Sequence, residues 1–199
     1  DPECNQPGDE KLLAYLWKHH HTTPFEMAGA TVEVKAPIFV FREWHRHRTQ
    51  SYNEMSARYA PLPNENYRPT VQRVMQGGGH HTKQAGAAGG AKALTQDAAM
   101  HFLAGLDGYY EAVERFYQTS LMDGVPKELA RLILPVGRYS KMRASANALN
   151  WIRFLRLRLD ETAQWEIRQY ARGVAGLLEQ CFPRTMALFE EERQKGEGV

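Results

Sequence analysis

The sequence is poor in the features that would commit it to a special environment. It has only two cysteines, Cys4 and Cys181, far apart and in no metal-like spacing. That excludes a disulfide scaffold and fits a reducing cytoplasm. No apolar run is long enough to cross a bilayer and nothing resembles a signal peptide, so neither a membrane span nor a secretory leader is expected. The charge is nearly balanced: 25 Lys and Arg against 23 Asp and Glu give +2 with His neutral. Such a chain is no general polyanion binder, and any strong positive field must come from local clustering. No internal repeat is visible. What remains, 199 residues with 43% hydrophobic and 24% charged, is ordinary for a soluble globular protein with a real core. The sequence begins Asp1-Pro2 without Met, as a processed, shortened or incompletely represented chain would.

Periodicity predicts mainly helices with a small sheet. "GDEKLLAYLWKHH" (8–20) reads as a helix with acidic residues early and basic ones late, matching its dipole. Partial alternation with β-branched residues predicts a strand at about 27–35, after which Pro37 suits the first turn of a helix. The stretch from Pro61 to Lys92, with its Gly-rich part at about 76–92, reads as a flexible loop. Its adjacent His80 and His81 have no third ligand, so no metal is expected. Residues 94–124 form a long amphipathic helix stopped by Gly124, and Pro126 opens another that Pro135 closes. "GRYSKMRASAN" (137–147) alternates loosely, as a second strand or extended segment would. Helices follow over "ALNWIRFLRLRLD", "ETAQWEIRQYARGVAGLLEQCF" and, after Pro183, "RTMALFEEER".

Chemistry concentrates in "RHRTQSYNEMSARY" (46–59). Arg46, Arg48 and Arg58 supply planar, permanently charged forks suited to phosphate oxygens. Ser51, Asn53 and Ser56 are short groups able to bond a phosphate or a heterocycle edge, and Glu54 can orient an arginine or meet a ligand N–H. The bland alternative is a solvated basic turn. Ser56 as a nucleophile would need a base in reach; no histidine in such a pattern is evident, so phosphate contact is favoured. A second cluster holds Arg131, Asn147, Arg153, Arg156 and Arg158. Arg131 is expected on a helix opposite Leu129, Leu132 and Ile133, and Trp151, Phe154, Leu155 and Leu159 sit at core spacing. Of the later arginines, at least one is expected to face an anionic ligand or a subunit interface.

This pattern resembles the signature of the flavin-dependent thymidylate synthases, Arg-His-Arg followed after seven residues by Ser: here Arg46-His47-Arg48, then Ser56. "YLWKHHHTTPFEM", "KAPIFVFREWHRHR", "GVPKELARLILP" and "LRLDETAQWEIRQYA" resemble its flanking segments, so the likeness covers about residues 10 to 190. It implies a single α/β domain, with helices packed around a small curved β-sheet, and a methyltransferase reaction. In that family dUMP becomes dTMP, with methylenetetrahydrofolate as carbon donor and NADPH as reductant through FAD. It also implies a cytoplasmic homotetramer with sites shared between subunits. Carried over by residue, His21, Thr23, Arg46, His47, Arg48, Glu54 and Asn147 would contact FAD. Glu43, Ser56, Ala57, Arg58, Arg131 and Arg158 would contact dUMP, with Arg158 the catalytic residue that reads the uracil. Such a flavin route requires no catalytic cysteine, and Cys181, at a helix end, reads as packing.

The chain departs from the family pattern in three places. Glu43 stands where members often have Gln. Leu149 stands where Asn-x-Arg is common, and Arg153, one helical turn on, is expected to take over that flavin contact. The strand, helix and flavin-contacting serine that usually precede "YLWKHH" in the family are either missing or replaced by "DPECNQPG". Two other readings compete: a nucleic-acid-binding module in which Trp44, Tyr52, Tyr59 and Tyr67 stack bases, and a catalytically inactive relative serving as an assembly subunit. The near-zero net charge speaks against nucleic acid.

Overall fold

In a computed structural model the chain is an α/β protein, described over residues 8–76 and 94–196. Cys4, His80, His81 and most of the Gly-rich segment lie outside the described residues. The elements are α1 (Asp9–Lys18), α2 (Thr23–Glu26), β1 (Gly29–Pro37), α3 (Ile38–Trp44), β2 (Ser51–Glu54), α4 (Val71–Met75), α5 (Gln96–Met122), α6 (Lys127–Ala130), a 3-10 turn (Arg131–Ile133), β3 (Tyr139–Asn147), α7 (Ala148–Arg158), α8 (Trp165–Cys181) and α9 (Pro183–Lys195).

The three strands form one sheet in the order β1-β3-β2. Thr31 meets Ser145 at 2.9 Å and Glu33 meets Arg143 at 3.0 Å, numbers rising along β1 as they fall along β3, which is the antiparallel register. β3 alternates cleanly: Ser140, Met142 and Ala144 are buried, while Lys141, Arg143 and Ser145 are exposed. The loosely alternating 137–147 segment is therefore the central strand. β1 starts and ends two residues later than expected, and Pro37 ends it as the N-cap of α3 rather than inside the helix's first turn.

The described residues group into two compact units. The first holds residues up to Glu33, Arg46–Tyr52 and those from Arg143 on; the second holds Val34–His45 and those of Asn53–Met142. In the first, α7 packs on α2 and α8, and α9 packs on α8 and α1. The sequence dictates these faces: Ile167, Ala171, Val174 and Leu178 of α8 recur at helical spacing and are all buried. Asn147 caps α7, its Oδ1 accepting the Asn150 N–H at 2.9 Å. Trp151, Phe154 and Leu155 are buried as their spacing implied, and Leu149 with them. Arg156 donates to both oxygens of Glu192 at 2.7 and 2.8 Å, and the Trp17 Nε1–H donates to the same carboxylate at 2.9 Å. The Cys181 side is exposed, which corrects its reading as a packing residue: it closes α8 past the last buried position, Leu178.

In the second unit α5 is the main support, with α4, α6 and the 3-10 turn packed on it. Thr95 caps it by accepting the Ala98 N–H at 3.2 Å, and Gly124 at φ 84 takes the left-handed turn after its end. The wholly buried Arg138 donates to the Pro63 carbonyl at 2.9 Å and Asn64 Oδ1 at 3.1 Å, and it pairs with Glu114 of α5. Two expectations are corrected here. The 61–92 segment is not all loop, because Thr70 caps α4 by accepting the Arg73 N–H at 3.1 Å. The expected helix over "PKELARLIL" is short and tightens into the 3-10 turn at Arg131, so Leu129 and Leu132 form no core stripe; Leu132 is 76% exposed.

Candidate functional site

The candidate residues divide between the two units, and each group stands in its own unit. In the first stand Arg46–Tyr52 of the basic motif, which lead into β2, a strand its polar composition hid. The motif's centre, His47, is buried at 9% exposure, while Arg46 and Arg48 on either side are exposed. Its carbonyl accepts the Tyr52 O–H at 2.6 Å and the Gln50 N–H at 3.3 Å. The His47 ring stands edge-on to Phe154, with centroids 4.9 Å apart. The Arg158 Nε–H donates to His47 Nε2 at 2.8 Å. Burial first, and the Arg158 charge second, push the His47 imidazole down to about 4. It is therefore neutral at pH 7. Burial pushes the Tyr52 phenol up to about 12 against the opposing pull of Arg158, so it remains an O–H donor.

The other expected flavin contacts of this unit are less gathered. His21 and Thr23 are exposed, at and just before α2. Arg153 is exposed and donates to Asn150 Oδ1 at 3.1 Å. Leu149, four residues earlier, is buried; the two positions are neighbours on α7, yet one is core and the other surface. Of the arginine cluster, Arg156 is committed internally to Glu192.

In the second unit a cavity of about 470 Å³ collects Glu54, Ser56, Ala57 and Arg131, four of the residues singled out from the sequence. Arg42 of α3 and Ser140 of β3 line it too, with Ile38, Leu62, Leu134 and Val136 as apolar wall. Sequence reasoning missed Arg42, which lies four residues ahead of the motif and whose only signal was a charge, next to Glu43, after the apolar run Ile38–Phe41. Arg58 is drawn aside: its Nε donates to Glu128 at 3.1 Å, while its backbone N–H donates to Ser56 Oγ at 3.3 Å. Glu43 is half-buried on α3 and outside the cavity lining. No histidine is among the described residues lining the cavity, and Glu54 is its one carboxylate.

Charge distinguishes these arginines. Among the described residues no carboxylate pairs with Arg42, Arg46, Arg48 or Arg131, whereas Arg58, Arg138, Arg143 and Arg156 each hold one. The cavity carries two guanidinium groups against the single carboxylate of Glu54, a surplus of one positive charge. Such a lining suits an anionic ligand with an apolar body. Arg46, Arg48 and Arg153 are each exposed, Arg153 with its donor on Asn150. No helix among the described residues is long and apolar enough to cross a membrane, and no cluster of described side chains could hold a metal.

The family model described as thymidylate synthase complementing protein matches residues 2–184. A flavin-dependent thymidylate synthase from Thermus thermophilus is 40% identical over 188 residues, which are 94% of this chain and 66% of that protein; the chain thus spans just under two thirds of its length. One from Thermotoga neapolitana is 37% identical over 196 residues, 97% of this chain and 81% of that protein. A solved structure of a UMP/dUMP methylase, PolB, from Streptomyces cacaoi bound with 5-Br dUMP superposes with a TM-score of 0.80 at 32% identity, covering 94% of this chain and 81% of that one. The family match over residues 2–184 spans the Arg-His-Arg turn, the cavity lining and the α7 arginines, and the chain belongs to the flavin-dependent thymidylate synthase family.

Proposed function

We propose that this chain, as a single domain of its family, converts dUMP to dTMP. Methylenetetrahydrofolate would be the carbon donor and NADPH the reductant, through FAD. The observation that carries the reading is the surplus positive charge of the cavity holding Ser56, Ala57 and Arg131, a match for a nucleotide monophosphate. Ser56 would donate to the phosphate beside Arg131, and Arg58 would join by exchanging its Glu128 partner. Arg158 would meet the uracil carbonyls and is the residue assigned to catalysis. Arg46, Arg48 and Arg153 would hold the FAD phosphates, with His21, Thr23, His47, Glu54 and the free donors of the Asn147 amide around the rest. Bound flavin would supply the hydride chemistry, and the protein orientation and electrostatics.

A homotetramer with sites shared between subunits, in the cytoplasm, completes the proposal. The exposed Phe102, Tyr109 and Phe116 recur every seven residues along α5, an apolar stripe suited to a second copy. The test is a visible spectrum of the purified chain followed by dUMP-dependent NADPH oxidation, with UMP as the competing substrate. Yellow protein whose oxidation depends on dUMP supports the reading. Colourless protein that binds single-stranded nucleic acid favours the binding-module alternative, and flavin without turnover favours an inactive relative.

A further inference from the structure

We infer that His47 is a positioning residue for Arg158, accepting its Nε–H and thereby fixing the plane in which the guanidinium meets the pyrimidine. The inference rests on the proposed contact between Arg158 and uracil, and it gives His47 a task apart from the flavin contact expected of it.

Three features of the first unit support it. Phe154 and Arg158 stand four residues apart on α7 and so share a face. His47 engages both, its ring edge-on to Phe154 at 4.9 Å and its Nε2 2.8 Å from Arg158 Nε. Arginine is only ever a donor, so Nε2 must carry the lone pair and the ring proton sits on Nδ1. A protonated ring would instead press a second cation against the guanidinium. Burial and that neighbouring charge both hold the imidazole neutral.

The histidine is itself held from behind. Its carbonyl takes the Tyr52 O–H at 2.6 Å and the Gln50 N–H at 3.3 Å, closing the turn that carries the ring. A line of fixed contacts therefore runs from Tyr52 through the His47 backbone and ring to Arg158. An arginine side chain has several rotatable bonds, and ordering it before the ligand arrives lowers the cost of binding. Arg158 is half-buried in the last turn of its helix, within reach of the ring that the Arg46–Tyr52 turn presents.

The test is a double-substitution cycle on flavin-loaded protein, reading dUMP affinity by calorimetry. His47→Ala is expected to weaken dUMP binding about tenfold, the size of one charge-assisted hydrogen bond, yet to change it less than about twofold in an Arg158→Ala background. His47→Gln, whose amide oxygen can accept in place of Nε2, should recover most of the loss and guards against a folding defect in the alanine variant. Equal weakening in both backgrounds, or flavin loss with dUMP affinity intact, overturns the inference. Nitrogen-15 spectra of the arginine Nε–H groups, recorded without nucleotide, read the brace directly: one slowly exchanging signal should vanish with Arg158→Ala and exchange faster with His47→Ala. If the parent fails to bind dUMP while that signal behaves as described, the proposed function fails and the His47–Arg158 brace stands; an unchanged signal in His47→Ala removes the brace itself.

Discussion

Removing arginines one at a time from the cavity of the second unit should invert its preference for a phosphate. The lining holds Arg42 and Arg131 against Glu54, a surplus of one positive charge. Arg131→Ala or Arg42→Ala brings that to neutrality, and the double variant leaves the Glu54 carboxylate alone against the ligand. A phosphate monoester carries about −1.5 to −2 at pH 7. Each lost charge-assisted hydrogen bond is worth about 1.5–3 kcal/mol, which is on the order of tenfold to a hundredfold in affinity. Both guanidinium groups are exposed, so solvent screening puts the expectation near the lower end and makes it shrink with added salt. Adding Glu54→Gln to either single variant restores the surplus charge and should recover part of the loss. Calorimetric titration with dUMP and with deoxyuridine separates the effects, because the nucleoside has no phosphate for the arginines to hold. Single variants that bind dUMP as the parent does, or that lose deoxyuridine equally, would refute the assignment of this cavity to a phosphate.

Three further outcomes are expected. Glu114→Ala strips the carboxylate from the wholly buried Arg138 and should cost about 3–5 kcal/mol in urea unfolding, with Glu114→Gln costing less because its amide oxygen still accepts; a loss under about 1 kcal/mol contradicts the buried pairing. The His47 imidazole lies at about 4 when folded against 6.5 when not, so the unfolded chain takes up the proton first and stability falls as pH falls through that window. That contribution is at most roughly 3 kcal/mol; unfolding midpoints at pH 7, 5 and 4 should drop more for the parent than for His47→Gln, and parallel drops would remove His47 as the cause. Arg153→Ala should release flavin more readily during gel filtration, whereas retention equal to the parent would show that the flavin does not use this arginine.

Much of the fold was legible because the governing signals are local. Thr95 and Gly124 bracket α5 as capping chemistry requires, and the apolar stripes of α7 and α8 mark their buried faces. What stayed hidden depends on tertiary partners. β2 is four residues long with three of them exposed, so no alternating apolar pattern announces it; pairing with the central strand makes it a strand. Leu129 and Leu132 read as an apolar stripe, yet both are exposed because the chain tightens at Arg131. Within the site, motif and resemblance pointed to Ser56, Ala57 and Arg131. Arg42 emerged only when the cavity showed what stands beside them.

The same limit explains why counting arginines could not rank them. Arg156 and Arg158 sit two positions apart in "RFLRLRLD" and read alike in the sequence. Two residues turn an α-helix by about 200°, so the side chains leave α7 on opposite sides. Arg156 meets Glu192 of α9 and is neutralised there, with the Trp17 ring 5.8 Å away. Arg158 meets the neutral ring of His47, a partner that holds a guanidinium in place without cancelling its charge. A carboxylate in that position would have fixed the arginine equally well and left it little attraction for a uracil carbonyl. Under the proposed contact with uracil, His47 orients Arg158 through an acceptor that carries no charge of its own, whereas Glu192 neutralises Arg156.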